Sequence, residues 1–147
     1  MLEGALLMKR IILTILMISV LINALITISY AESEAELLAR LLYTECRGED
    51  EKGQLAVAQC VIDRRDTNHN DFKKQDTIKK VITAKNQFAK PGKLTDELLA
   101  IAQRAIDGER AYPHHEVLFF RKTKKTGDWW TPYIGEIGKH KFYGCKR

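Results

Sequence analysis

SEAELLARLLYTECRGE, residues 33–49, is the stretch whose reading decides the fold. Ser33 followed three residues later by Glu36 is a capping-box pattern, and the helix it opens runs to about Cys46. At about 100° per residue, Leu37, Leu38, Leu41 and Leu42 fall on one arc, so that face packs against a core. Glu45 lies inside the same arc. Arg47 and Gly48 then supply a basic residue and a glycine suited to a helix end, and Glu49, Asp50 and Glu51 suit the N-terminus of the next helix. A carboxyl group held between a core and a cleft resists ionising, because low dielectric penalises the charged form. Such a group can act as a general acid near neutral pH. Helix geometry alone also allows a fraying last turn, with the methylenes of Glu45 on the core rim and its carboxylate in water.

Upstream, residues 11–30 are an almost uncharged apolar run preceded by Lys9 and Arg10, with small residues at Ser29 and Ala31. Residues 1–31 therefore read as an export signal, with Met8 an alternative start; the run is also long enough to serve as an uncleaved membrane anchor. Residues 32–147 form one small domain. With Lys9, Arg10 and Glu3 set aside, the totals of 24 basic and 19 acidic residues fall to 22 and 18. A basic exported domain suits an anionic cell-wall or membrane surface and not intracellular nucleic acid, although a charge of this size also fits an ordinary soluble surface.

Three cysteines imply no disulfide framework, although Cys46 and Cys60 could bridge the first two helices of the domain. Residues 53–65 form a second helix, apolar nearly all round and hence central, interrupted by Gln59 and Asp63, which face either the cleft or solvent. Residues 77–84 are a short helix, and Thr95 caps another that runs through Asp107. Two strands follow, residues 117–120 and 135–143, which can pair. Between them the basic run Arg121 to Lys125 leads to Trp129 and Trp130. The expected class is α+β, mainly helical, with a small antiparallel sheet near the C-terminus.

Several separated blocks resemble one family. Residues 38–49, then Gly53-Gln54, Ala56-Val57-Ala58 and Arg64, resemble the opening motif of SleB-type cell-wall hydrolases, the spore cortex-lytic group. Gln87-Phe88, Leu118-Phe119-Phe120, Trp129-Trp130 and residues 137–143 match later blocks in the same order. The resemblance implies a lysozyme-like domain that cleaves peptidoglycan glycan between N-acetylmuramic acid and N-acetylglucosamine, with the glutamate matching Glu45 as the catalytic acid. It also implies likeness in fold to lytic transglycosylases, which leave a 1,6-anhydro end. Two positions depart from the family pattern: Cys46 stands where alanine is usual, and Asp63 where asparagine is usual. The added charge at Asp63 could repel an ionised Glu45 or alter sugar contacts.

Sugar rings pack their apolar faces on aromatics, so Phe88, Tyr112, Trp129, Trp130 and Tyr143 are groove candidates, while Phe119, Phe120 and Phe142 are assigned to the core. Glu49, Gln59, Asp63, Gln87 and His140 complete the candidate substrate contacts. A hydrolase ordinarily needs a second carboxylate, for which Glu49 is the nearest candidate; otherwise Glu49 serves the next helix's N-terminus. His69, His114, His115 and His140 lack the spacing of a zinc motif, so no metal or cofactor is expected and a metal-dependent amidase is disfavoured. A cysteine peptidase pairing Cys46 with His140 is opposed by the thiol's place at a helix C-terminus. The non-enzymatic alternative is a basic wall-binding module.

Overall fold

Ser33 closes the capping box that starts the domain: its Oγ accepts the Glu36 N–H at 3.2 Å, and Glu36 Oε2 accepts the Ser33 N–H at 2.8 Å. Two of the orphan donors of the first turn are thereby satisfied, and helix α2 (Glu34–Cys46) follows. The computed structural model describes residues 2–28, 32–125 and 131–147, so Trp129 and Trp130 lie outside the described residues. It divides into two units, residues 1–32 and 33–147. The first unit is helix α1 (Leu2–Ile28), whose apolar side chains at Leu13, Leu16 and Met17 are exposed. Among the described residues, no helix is long and apolar enough to cross a membrane.

In the second unit α2 buries Leu38, Leu41 and Leu42 completely. Each of these side chains contributes roughly 2 kcal/mol by leaving water. Helix α3 (Glu51–Asp66) begins two residues before the expected start because Asp50 is its N-cap, its Oδ1 accepting the Gly53 N–H at 2.7 Å. Every residue of α3 from 55 to 64 is buried. That follows from a helix apolar on all sides, which packs against α2, α4 (Ile78–Thr83), α5 (Asp96–Ile106) and the first strand. Thr95 caps α5 as its sequence position predicts, and Thr77, expected as the first residue of the short helix, is the N-cap of α4.

The C-terminal part is a three-stranded antiparallel sheet, β1 (His115–Lys122), β2 (Tyr133–Ile137) and β3 (His140–Lys146), in the order β1-β3-β2. The expected single strand over residues 135–143 is therefore two strands joined by the turn Gly138-Lys139, with Ile137 paired to His140. Gly138 has φ +58°, a conformation open to glycine at little cost. In the register of β1 and β3, Phe120 pairs with Phe142 and Lys122 with His140. Successive side chains alternate across a sheet, so these four share one face. Phe142 is fully buried against the helical core.

Candidate active site

Glu45 stands in the last turn of α2, half-buried, and its Oε1 accepts the Ala89 N–H at 2.8 Å. Among the described residues its Oε2 receives no hydrogen bond. The segment that carries Ala89 is fastened along α2 by three bonds. Gly92 N–H donates to the Arg40 carbonyl at 2.8 Å, Arg40 Nη1 donates to the Gly92 carbonyl at 3.1 Å, and Thr44 Oγ1 donates to the Lys90 carbonyl at 3.0 Å. Gly92 lies so close to α2 that a Cβ there would come within 2.8 Å of Thr44 Oγ1 and of the Tyr43 ring. Only glycine permits that approach, which sets the carboxyl's backbone partner in place.

The β2–β3 turn closes on the other side. Glu49 Oε2 accepts the Lys139 N–H at 2.9 Å, and its Oε1 lies 3.7 Å from Nδ1 of His140. The Glu49 and His140 side chains are only 7% and 4% exposed. A Cβ on Gly138 would overlap Glu49 Oε2, so the glycine serves this seat as well as the turn. Glu49 thus fastens the hairpin, and the capping of α3 falls to Asp50. Burial holds the His140 imidazole below its ordinary pKa, against the raising effect of Glu49 and Glu45, with Lys122 and Lys139 adding to the depression. The ring packs edge-on against Phe120, with centroids 5.4 Å apart.

Two concavities of about 640 and 470 Å³ meet at Glu45, Lys122 and His140, forming a groove with a lobe on either side of the carboxyl. Arg64, Asn86, Gln87, Phe119 and Phe120 line the first lobe; the end of α2 and the residues around Lys124 and Lys139 line the second. Phe119 and Phe120, expected in the core, are half-buried walls of the first lobe. Arg64 is the site residue that sequence reasoning passed over. Its Nε donates to the Leu118 carbonyl at 2.6 Å and its Nη1 to Gln87 Oε1 at 3.0 Å. Its guanidinium lies 4.8, 4.9 and 5.3 Å from the ring centroids of Phe72, Phe88 and Phe119. An arginine in a helix apolar on every side needs such partners, and that was the available signal.

The remaining candidates divide. Gln87 lines the first lobe, and Phe88 backs it by packing on Arg64 and Phe120. Gln59 and Asp63 lie away from the groove, in the contact between α3 and the approach to β1. Gln59 Nε2 donates to Asp63 Oδ2 and to the carbonyls of Tyr112 and His115, each at 3.0 Å, while its Oε1 accepts the Tyr112 N–H. Asp63 Oδ2 also accepts the Val117 N–H at 2.8 Å, and its Oδ1 pairs with Arg147 and, at 3.6 Å, with Arg110. Burial pushes the Asp63 carboxyl above its ordinary pKa, opposed by the Val117 and Gln59 hydrogen bonds and by the two arginines. Its added charge thus meets cations and lines neither lobe. Tyr112 packs on Phe142 and His115, and burial raises its hydroxyl to about 12. Tyr143 stands on the sheet face opposite His140; its hydroxyl accepts from Nε of Arg121, a residue of the first lobe, at 3.0 Å.

Cys46, Cys60 and Cys145 are free thiols, so no bridge joins α2 to α3. Cys46 is buried, and desolvation followed by the charges of Glu45 and Glu49 holds its thiol far above the ordinary pKa, which withholds the thiolate a cysteine peptidase requires. Burial likewise raises Cys60, to about 11. Among the described residues no group of three His, Cys, Asp or Glu side chains could hold a metal ion.

Glu45 and Glu49 are the carboxylates that line the groove among the described residues, and Glu49 is committed to the hairpin. The arrangement can therefore deliver one proton to a bond lying across the junction of the lobes. Comparison with known proteins agrees with a cell-wall enzyme. The chain is 31% identical over 122 residues to the cell wall hydrolase CwlJ of Bacillus subtilis, covering 76% of this chain and 84% of that protein. It is 33% identical over 124 residues to a spore cortex-lytic enzyme of Oceanobacillus iheyensis, covering 80% of this chain and 43% of that one. Its fold matches the catalytic domain of the germination-specific lytic transglycosylase SleB from Bacillus anthracis with a TM-score of 0.62 at 26% identity, over 80% of this chain and 97% of that domain. The catalytic domain of Bacillus cereus SleB matches with the same TM-score at 27% identity, over 80% and 92% of the two chains. The profile of the Cell Wall Hydrolase family matches residues 48–143, from just after Glu45 to Tyr143, and the chain belongs to that family.

Proposed function

We propose that this protein cleaves peptidoglycan glycan strands between N-acetylmuramic acid and N-acetylglucosamine as a lytic transglycosylase, with Glu45 as its single acid and base. The observation that carries the reading is the place of Glu45: among the described residues it is the carboxyl that lines both lobes, and its Oε2 receives no hydrogen bond. Glu45 protonates the glycosidic oxygen as the C1–O bond breaks. As a carboxylate it then takes the proton of the muramyl 6-hydroxyl, whose oxygen closes on C1 to give the 1,6-anhydro ring. Inverting and retaining hydrolases place a second carboxylate roughly 5–9.5 Å away to activate water or form a glycosyl-enzyme. The sugar's own hydroxyl makes that second group unnecessary. The names of the SleB and cortex-lytic relatives support the same reaction and a wall or cortex substrate. Residues 1–31, as an export signal, would bring residues 32–147 to that substrate outside the membrane.

The test is mass spectrometry of the muropeptides released from purified peptidoglycan by the protein and by its Glu45→Gln variant. Anhydro-muramyl ends produced by the wild type alone support the proposal. Reducing muramyl ends would replace transglycosylation with hydrolysis, and a fully active, folded Glu45→Gln protein would overturn the role of Glu45.

A further inference from the structure

The groove carries more positive charge than its own carboxylates balance. Lys122 lies at the junction of the lobes, Lys125 in the first lobe, and Arg47, Lys124 and Lys139 in the second. All five are exposed. Among the described residues none of the four lysines is paired with a carboxylate; Lys139 contacts Glu49 through its backbone N–H, which leaves its ammonium free. Glu49 is itself buried beneath the turn. Like charges gathered in one concavity repel one another, and an anionic ligand offsets that repulsion and draws the ligand in.

The distribution indicates what kind of anion. The lysines are spread over both lobes, on either side of Glu45, and lysine is a point charge without the planar fork that grips a single phosphate or carboxylate in two places. Cations set out along a groove suit a polymer that carries its negative charges at intervals. We infer that the groove reads the carboxylates of a peptide-bearing glycan strand, with Lys125 meeting those on one side of the scissile bond, Lys124 and Lys139 those on the other, and Lys122 those beside it. This rests on the reading of Glu45 as the group that cleaves the strand. It adds to it that a carboxylate-rich strand is preferred over one whose carboxyls are neutralised.

The experiment compares native peptidoglycan with the same material after its carboxyls have been converted to primary amides, using the full chain. Sedimentation binding is measured with the Glu45→Gln protein and KM with the wild type. Each exposed charge pair accounts for a few-fold in affinity, so amidation should raise Kd and KM by about tenfold, and raising the salt should erase the difference. The triple variant Lys122→Gln, Lys125→Gln, Lys139→Gln should bind native strands about tenfold more weakly and no longer distinguish them from amidated ones. Its side chains are exposed, and an unchanged melting temperature verifies the fold. Equal Kd for native and amidated strands overturns the inference. So does a triple variant that discriminates as the wild type does. Competition by poly(glycerol phosphate) without any effect of amidation would assign the groove to phosphate polymers and equally overturn it. Absence of cleavage on both substrates would sink the reading of Glu45, while the binding ratio would still decide the role of the lysines.

Discussion

Glu49 is the residue on which hydrolysis and transglycosylation part. If the wall is cleaved with one carboxyl, replacing Glu49 by glutamine should leave the chemistry standing. The structure sets the magnitude. Glu49 Oε2 accepts the Lys139 N–H at 2.9 Å and its side chain is 7% exposed, so truncation to alanine removes a charge-assisted bond and opens a buried gap. That costs about 2 kcal/mol. At roughly 4 °C per kcal/mol for a domain of this size, the melting temperature should fall by about 8 °C. Glutamine keeps an acceptor for Lys139, and its amide can donate toward Nδ1 of His140, which lacks a hydrogen bond in the wild type. Glu49→Gln should therefore cost under about 1 kcal/mol, since the acceptor is retained.

Thermal denaturation followed by circular dichroism gives the stability of both variants. The initial rate of muropeptide release gives their activity, with the product ends identified by mass. The expected pattern is a Glu49→Gln protein of nearly wild-type stability, with a rate within about tenfold of the wild type and anhydro ends throughout. A general base or nucleophile, by contrast, accounts for at least about 10²–10⁴-fold in rate. A Glu49→Gln protein that melts with the wild type and has lost a thousandfold in rate would refute the reasoning and make Glu49 a second catalytic carboxylate.

Asp63→Asn should cost about 1 kcal/mol, because one amide oxygen can still accept from both Val117 and Gln59 and the cost of a buried charge disappears, while the amide NH2 faces Arg147 and Arg110 where Oδ1 paired with them. Asp63→Ala should lose about 3 kcal/mol in urea titration, since it strands those donors beside Arg110. Because the folded Asp63 pKa is raised, its contribution is fully present below the unfolded value and is lost as pH rises through the folded one; the stability difference between Asp63→Asn and the wild type should therefore grow in favour of asparagine over that window. Cys46→Ala should cost about 1 kcal/mol and leave the rate of glycan cleavage unchanged, whereas a cysteine peptidase would be abolished.

What was legible in the sequence was what local chemistry decides. The Ser33 box, the leucine arc of α2 and the Thr95 cap of α5 each depend on neighbours within a turn or two, and each forms where expected. The place of Glu45 in the last turn of α2 was legible for the same reason, from a helical arc just before a stop. The misassignments needed partners far along the chain. Gln59 and Asp63 read as cleft or solvent residues because the carbonyls and N–H groups they satisfy lie more than 50 positions away, before and within β1. Gly138 read as part of a strand because the carboxylate that seats its turn, Glu49, is 90 positions upstream of the Lys139 N–H it accepts. Phe119 and Phe120 read as core because alternation does not reveal that each, while packed against the rest of the domain, keeps one side open to the first lobe.

His140 presents the last rival to a one-carboxyl mechanism. It lines both lobes, and its imidazole, held below its ordinary pKa by burial, is neutral at pH 7 and so able in principle to take a proton from water. Two measurements separate that role from a structural one. The first is linkage: a histidine whose folded pKa is depressed contributes stability that is fully present above its unfolded value of about 6.5 and is lost as pH falls through the folded value. The urea midpoint of the wild type relative to His140→Gln should therefore be constant from pH 7 to 8 and decline as pH drops below about 6.5. The second is the product. If the 6-hydroxyl is the nucleophile, folded His140→Gln yields anhydro ends at a reduced rate; if His140 activates water, the wild type yields reducing ends and the variant yields none. Anhydro ends from both proteins would leave the imidazole with the task its surroundings already explain. It fills the space between Phe120 and Glu49, where a charged side chain would have to be desolvated beside Lys122 and Lys139.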